Sequence, residues 1–341
     1  MTALHRATLA EIEERAAREL SGEAYAYYSS GARDEHTMRR NVEAWREWEF
    51  RGRVLVDVST THTRVPWLGT PAAAFGIAPM AAQRLAHPDG ELATARAAAA
   101  AGCVMVVSTS TNTPLEELTA VPGLTAWFQL YLFPDRAHSA TIVRRAAAAG
   151  ASALVLTVDV PVDVVTLRRP RGPLAFSDGF PMHGGATPAV DSTVTWDDLP
   201  WLRDVSTLPL VLKGITHPDD AARAVEAGCA AVVVSNHGGR QLDGTAPTAD
   251  LLPDVVAAVG GRIPVYVDGG VRRGGDVLRA LALGAAGVLV GRPVLWGLAV
   301  GGERGVARVL EVLGSELAAD AALAGVTDLR DVPRDLVRRR A

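Results

Sequence analysis

The chain has 341 residues but a single lysine, two cysteines, few aromatics at 5% and no apolar run of membrane length. Each scarcity excludes something. Two cysteines, Cys103 and Cys229, cannot make a disulfide framework, and a metal site would need other ligands gathered around them. Both follow an Ala-Gly pair at the start of an apolar run, so they read as small core hydrophobes. His62, His138 and His183 lack metal-ligand spacing and are expected in solvent, so no metal is expected. The apolar stretch 280–291 lies between Arg279 and Arg292 and falls short of the about 18–20 residues that span a bilayer. Glu11, Glu13 and Glu14 stand where a secretory leader would be apolar, so a cytoplasmic protein is expected. With a net charge of -4 and no long basic run, a nucleic-acid surface is not expected.

What is present is enough for a large core, since 48% of residues are hydrophobic and 21% charged. Length alone allows two domains or one large α/β barrel. Of the 34 basic residues counted as Lys and Arg, only Lys213 is lysine. It ends the apolar run Leu208-Pro-Leu-Val-Leu-Lys213. Either one surface lysine survived by chance, or this position needs a compact ammonium and not a planar fork.

An internal repeat organises the chain. An Ala-rich stretch, a glycine and a β-branched run recur around Gly102, Gly150, Gly228 and Gly284. Each copy reads as a helix stopped by glycine and followed by a strand buried on both faces. A strand-helix unit takes roughly 25 residues, so each interval holds two units. Intervening strands are expected at 75–79, 126–130, 208–213 and 264–268. Eight units predict a (β/α)8 TIM barrel over 61–325, with an open doubly wound sheet as the alternative. Residues 1–60 are expected to form a helical extension, with helices at 9–20 and 23–28, and 326–341 a C-terminal tail. The Pro-, Gly- and Arg-rich stretch 161–195 reads as a lid loop after the fourth strand.

Residues ending barrel strands face the active rim. Pro79, Met80 and Ala81 end the first strand, Ser108 and Ser110 the second, Gln129 and Tyr131 the third, and Thr157 and Asp159 the fourth. Lys213 ends the fifth, Ser235, Asn236, His237 and Arg240 the sixth, Asp268, Gly270 and Arg272 the seventh, and Gly291 and Arg292 the eighth. The last two loops combine glycines, helix N-termini and arginines, which suits a phosphate. No Gly-x-Gly-x-x-Gly fingerprint follows an early strand, which argues against a Rossmann-bound nicotinamide.

Ser235-Asn-His-Gly-Gly-Arg-Gln-Leu-Asp243, with Asp268-Gly-Gly-Val-Arg-Arg-Gly274, Gly291-Arg-Pro293 and Tyr25-Ala-Tyr-Tyr-Ser-Ser-Gly31, resembles the FMN-dependent α-hydroxy acid oxidase and dehydrogenase family. Glycolate oxidase, lactate oxidase and mandelate dehydrogenase belong to it. The resemblance implies FMN at the barrel mouth. Pro79, Met80 and Ala81 would offer backbone to its ring, Ser108, Gln129 and Thr157 would bond its polar edge, and Lys213 would face the edge that gathers charge. Asp268, Gly270, Arg272, Gly291 and Arg292 would hold its phosphate, and Ser235 belongs with the cofactor-binding set. His237 would be the base, Asp159 its partner, Arg240 the carboxylate fork, and Tyr27 and Tyr131 hydrogen-bonding residues. The implied partners are a 2-hydroxy acid and an electron acceptor, oxygen or a quinone. A homo-oligomer, a tetramer by resemblance, is also implied.

The chain departs from that family at two places. Thr166 stands where relatives carry a second carboxylate-binding arginine, with Arg168 and Arg169 nearby, and Ser110 stands where glycolate oxidase has tryptophan. A bulky, mandelate-like substrate is therefore expected. Alternatives are a carboxylate-masked or specialised-metabolite substrate, or chemistry like that of type 2 isopentenyl diphosphate isomerase. The His237–Arg240 pair favours the oxidase family over the isomerase.

Overall fold

A computed structural model of the chain describes residues 4–162, 179–184 and 189–340. Its centre is a closed barrel of eight parallel strands. In chain order these are β1 (Phe75–Ile77), β2 (Val104–Val107), β3 (Thr125–Leu130), β4 (Leu154–Thr157), β5 (Leu210–Ile215), β6 (Ala231–Val234), β7 (Val265–Asp268) and β8 (Gly287–Val290). β8 pairs with β1 through Leu289 opposite Gly76, which closes the ring. The eight expected strands are all present, with ends shifted by one or two residues. The repeat glycines Gly102, Gly150, Gly228 and Gly284 all adopt positive φ, as a helix-stopping turn requires.

The β-branched runs are buried on both sides because helices cover the outside and side chains fill the inside. An antiparallel hairpin, Arg64–Trp67 with Thr70–Ala73, closes the end opposite the active rim. There Trp67 stacks on Tyr266 with ring centroids 4.6 Å apart and meets Trp127 edge-on. The hydroxyl of Tyr266 accepts the Leu68 N–H, so its polar end is satisfied.

The first helices run Leu9–Glu19 and Gly22–Ser29, close to expectation. A third, His36–Ala44, carries too few apolar residues to stand out in sequence. It is fastened to the rim by tertiary bonds. Its first N–H groups, His36 and Thr37, donate to the Asp243 carboxylate, and Trp45 Nε1 just beyond it donates to the Gly269 carbonyl. Trp48–Phe50 pairs antiparallel with Val337–Arg339, so the C-terminal tail is fastened to the N-terminal extension. Among the described residues no helix is long and apolar enough to cross a membrane.

Two expectations about isolated side chains meet different outcomes. Cys103 and Cys229 are buried core residues, and desolvation pushes their thiols up, to about 12 and about 11. His138 and His183 are half-buried rather than free in solvent. They stack on one another against Phe133, with His138 Nε2 3.4 Å from His183 Nδ1. The expectation failed because it considered each histidine alone, whereas residues 179–184 fold back onto helix Arg136–Ala148. Asn112 donates to Gly179 O, Arg145 donates to Pro181 O, and Met182 is buried. His62 is exposed, as expected.

Candidate active site

The C-terminal ends of the strands open into a cleft of about 340 Å³. Its wall includes Tyr27, Pro79, Met80, Ala81, Ser108, Ser110, Gln129, Tyr131, Thr157, Lys213, His237, Arg240, Asp268, Gly270, Arg272, Gly291 and Arg292. Two expected residues stand behind that wall. Asp159 backs His237, and the fully buried Ser235 accepts from both Lys213 Nζ at 2.8 Å and the His237 N–H at 3.1 Å. Thr166, Arg168 and Arg169, with most of the expected lid, lie outside the described residues.

His237 Nδ1 lies 3.0 Å from Asp159 Oδ1. An ionised carboxylate there selects the tautomer with a proton on Nδ1, which leaves the Nε2 lone pair for the cleft. Burial raises the Asp159 pKa, but the neighbouring His237, with its hydrogen bond, and the Lys213 charge outweigh it, and the group stays below the ordinary carboxylate range. Burial, then the neighbouring Asp159 charge, pushes the Tyr131 phenol up, so it enters the cleft as a neutral O–H.

Lys213 is 3% exposed in its side chain and sits 3.0 Å from Asp268 Oδ2. Desolvation lowers its pKa, yet the carboxylates of Asp268 and Asp159 more than offset this, and the net shift is upward. The lone lysine is thus a buried, paired ammonium and no surface survivor.

Arg240 lies over the Tyr27 ring at 5.4 Å and donates to the carbonyls of Tyr27 and Ser30. Arg292 donates to Tyr28, Ser30 and Gly238 carbonyls. Its guanidinium is pushed down to about 9, first by burial and then by the neighbouring cations Arg240 and Arg272. Arg272 is also lowered by burial. Cations gathered this closely favour an anion between them. On the opposite wall the Gln129 Oε1 accepts from Ser108 and the Thr109 N–H, while the buried Nε2 has no partner. An unmet buried donor costs about 1–3 kcal/mol, so a ligand acceptor there is favourable. The donor set suits a ligand with a phosphate at one end and a polar aromatic edge at the other, as FMN has.

Sequence reasoning missed Tyr28 on this wall, whose hydroxyl donates to Ala82 O at 2.6 Å. It also missed Val160 and Leu295, which carry no motif signal. Among the described residues no group of three or more His, Cys, Asp or Glu could hold a metal ion.

A family model described as FMN-dependent dehydrogenase matches residues 16–339. An L-lactate oxidase of Nostoc sp. is 47% identical, with 95% of this chain and 96% of that protein covered. A peroxisomal (S)-2-hydroxyacid oxidase of Arabidopsis thaliana is 44% identical over 96% of this chain and 95% of its own. A solved mandelate oxidase superposes with a TM-score of 0.91 at 42% identity, covering 97% of both chains.

Proposed function

The chain belongs to the FMN-dependent dehydrogenase family, and we propose that it oxidises a bulky or aromatic 2-hydroxy acid to the 2-oxo acid, with dioxygen as final acceptor. Membership brings FMN as the cofactor and oxidation at the CH–OH carbon of a 2-hydroxy acid. The observation that carries the assignment of roles is the His237–Asp159 pair at 3.0 Å, set beside the buried ammonium of Lys213.

Oxidation of R–CH(OH)–COO⁻ to R–CO–COO⁻ removes two electrons and two protons. Bound FMN would supply the acceptor for the two electrons and one of the two protons, and dioxygen, as final acceptor, would leave as hydrogen peroxide. His237 Nε2 takes a substrate proton, and Asp159 stabilises the imidazolium that results. Arg240 and the Tyr27 and Tyr131 hydroxyls orient the carboxylate and hydroxyl. Arg272 and Arg292, with the backbone at Gly270 and Gly291, would hold the phosphate. Gln129, Ser108, Thr157 and Lys213 would meet the polar edge of the ring, and the backbone at Pro79, Met80 and Ala81 its face. Lys213 places a desolvated cation where negative charge gathers.

Three features support a bulky substrate. Ser110 presents a small side chain to the cleft, Val160 and Val162 offer apolar surface at its mouth, and the solved relative is a mandelate oxidase. That the similar Nostoc and Arabidopsis proteins are oxidases supports dioxygen as acceptor.

The deciding experiment is anaerobic reduction of purified His237→Ala, loaded with FMN. The variant should hold FMN, since the proposed phosphate and ring contacts come from other strands. Reduction by substrate should slow by about 10²–10⁴-fold. Reduction at the wild-type rate would refute the assignment of the base.

A further inference from the structure

Two buried amides at the rim have no part in the roles above. Asn41, on helix His36–Ala44 of the N-terminal extension, and Asn236, just before His237, are only 1% and 6% exposed. They exchange two hydrogen bonds: Asn41 Nδ2 to Asn236 Oδ1 and Asn236 Nδ2 to Asn41 Oδ1, both 2.8 Å. Each oxygen also accepts a backbone N–H, from Thr248 for Asn41 at 3.3 Å and from Gly239 for Asn236 at 3.2 Å. These fixed donors dictate which way both amides face. A flipped amide would aim its own N–H groups at a donor.

The turn that Asn236 closes is strained. His237, Gly238 and Gly239 have φ of 57, 63 and 75°. Glycine takes this conformation freely, but at His237 the Cβ crowds the following carbonyl oxygen and the residue is strained. The Gly239 N–H binds both the carbonyl and the side-chain oxygen of Asn236, at 3.0 and 3.2 Å. The outer side of the turn rests on the extension. A Cβ on Gly239 would fall 2.5 Å from the Met38 nitrogen, and the Gly239 carbonyl accepts the Ala32 N–H.

We propose that Asn41 is a positioning residue for the oxidation. Through Asn236 it holds the turn in the left-handed conformation that keeps His237 on Asp159 and turns its second ring nitrogen to the cleft. This rests on the reading of His237 as the base. Asn41 is not needed to dock the extension. Asp243 caps the helix, Thr37 Oγ1 donates to Thr245 O, and Trp45 reaches Gly269, all without touching residues 236–239.

The test compares FMN-loaded wild type, Asn41→Ala, His237→Ala and the double variant. Flavin reduction is followed in anaerobic stopped flow with L-lactate and (S)-mandelate. Asn41→Ala should keep its FMN and its substrate affinity within about threefold. Its limiting reduction rate should fall about 10–100-fold, the scale that a 1 Å misplacement of a reacting group produces. In the His237→Ala background the same substitution should cost nothing further, because the group it positions is gone. A wild-type rate in Asn41→Ala, or an equal loss with and without His237, overturns the proposal. If Asn41→Ala does not fold, Asn41→Asp keeps the shape and the oxygen that accepts from Asn236, but replaces the donor with a second acceptor and a buried negative charge against Asn236 Oδ1. It must then show the same split between rate and affinity. Normal reduction by His237→Ala itself overturns the base assignment, and this proposal with it, whereas a slow His237→Ala beside a normal Asn41→Ala overturns only the positioning role.

Discussion

Replacing Lys213 by methionine should damage stability as well as chemistry. The ammonium is bound by two groups, Asp268 Oδ2 at 3.0 Å and Ser235 Oγ at 2.8 Å. Asp268 is itself buried, and its Oδ1 already has no hydrogen-bond partner. Methionine fills the space but strands the Asp268 carboxylate in a dry site. Breaking a buried pair by removing one member costs about 3–5 kcal/mol. For a chain of this size that corresponds to a fall in Tm of about 6–10 °C, at roughly 2 °C per kcal/mol. The raised Lys213 pKa sets the pH window. The pair contributes fully below the unfolded value near 10.5 and is lost only as pH rises through the higher folded value, so neutral pH reports all of it. The assay is thermal unfolding of FMN-loaded and FMN-stripped protein, comparing wild type, Lys213→Met and Lys213→Met/Asp268→Asn. The double variant removes the stranded charge and should recover more than half of the loss. A single variant within 1 °C of wild type, or a double variant no better than the single, would refute the ion-pair reasoning.

Ser110→Trp should lower kcat/KM for mandelate about tenfold relative to lactate. That factor equals about 1.4 kcal/mol, or some 55 Å² of apolar contact at about 25 cal/mol per Å². A wild type that prefers glycolate, with no change of preference in the variant, would remove the wide-pocket reading. Acid should release residues 179–184 from helix Arg136–Ala148. Burial first, and the neighbouring His138 second, lower His183 to about 4, so the docking is intact above pH 6.5 and is lost as pH falls toward 4. The protection factors of that segment, normalised to the intrinsic exchange rate at each pH, should fall over this range, and constant protection would contradict it. Gly270→Ala should fold poorly, because its Cβ would lie 1.9 Å from the Asn41 carbonyl at φ +78°. Gly123→Ala, at φ +80° with nothing within 4 Å, carries the backbone strain alone, and equal Tm losses in the two would show that the close approach to the extension does not matter.

The barrel was legible in sequence because its signal is local and repeated. A glycine stops the helix before every second strand, and a strand buried on both faces is continuously apolar, so the pattern recurs four times along the chain. The rim residues were legible for a related reason. Most polar side chains that end the apolar strands line the mouth, with Asp159 and Ser235 just behind it, and the motif around His237 marked which of them bear chemistry. Folding alone decided what depends on partners far apart in the chain. Lys213 reads as a lone cation, and only the approach of β7 to β5 across the barrel makes it half of a buried ion pair with Asp268. Asn41 lies 195 residues from Asn236, on a helix with little apolar patterning, and nothing local announces that their amides meet. The His138–His183 stack likewise arises when residues 45 positions apart are brought together around Phe133. Composition and periodicity specify which surfaces must be buried, but a hydrogen bond or an ion pair is specified by angstroms, and only the packed chain sets those.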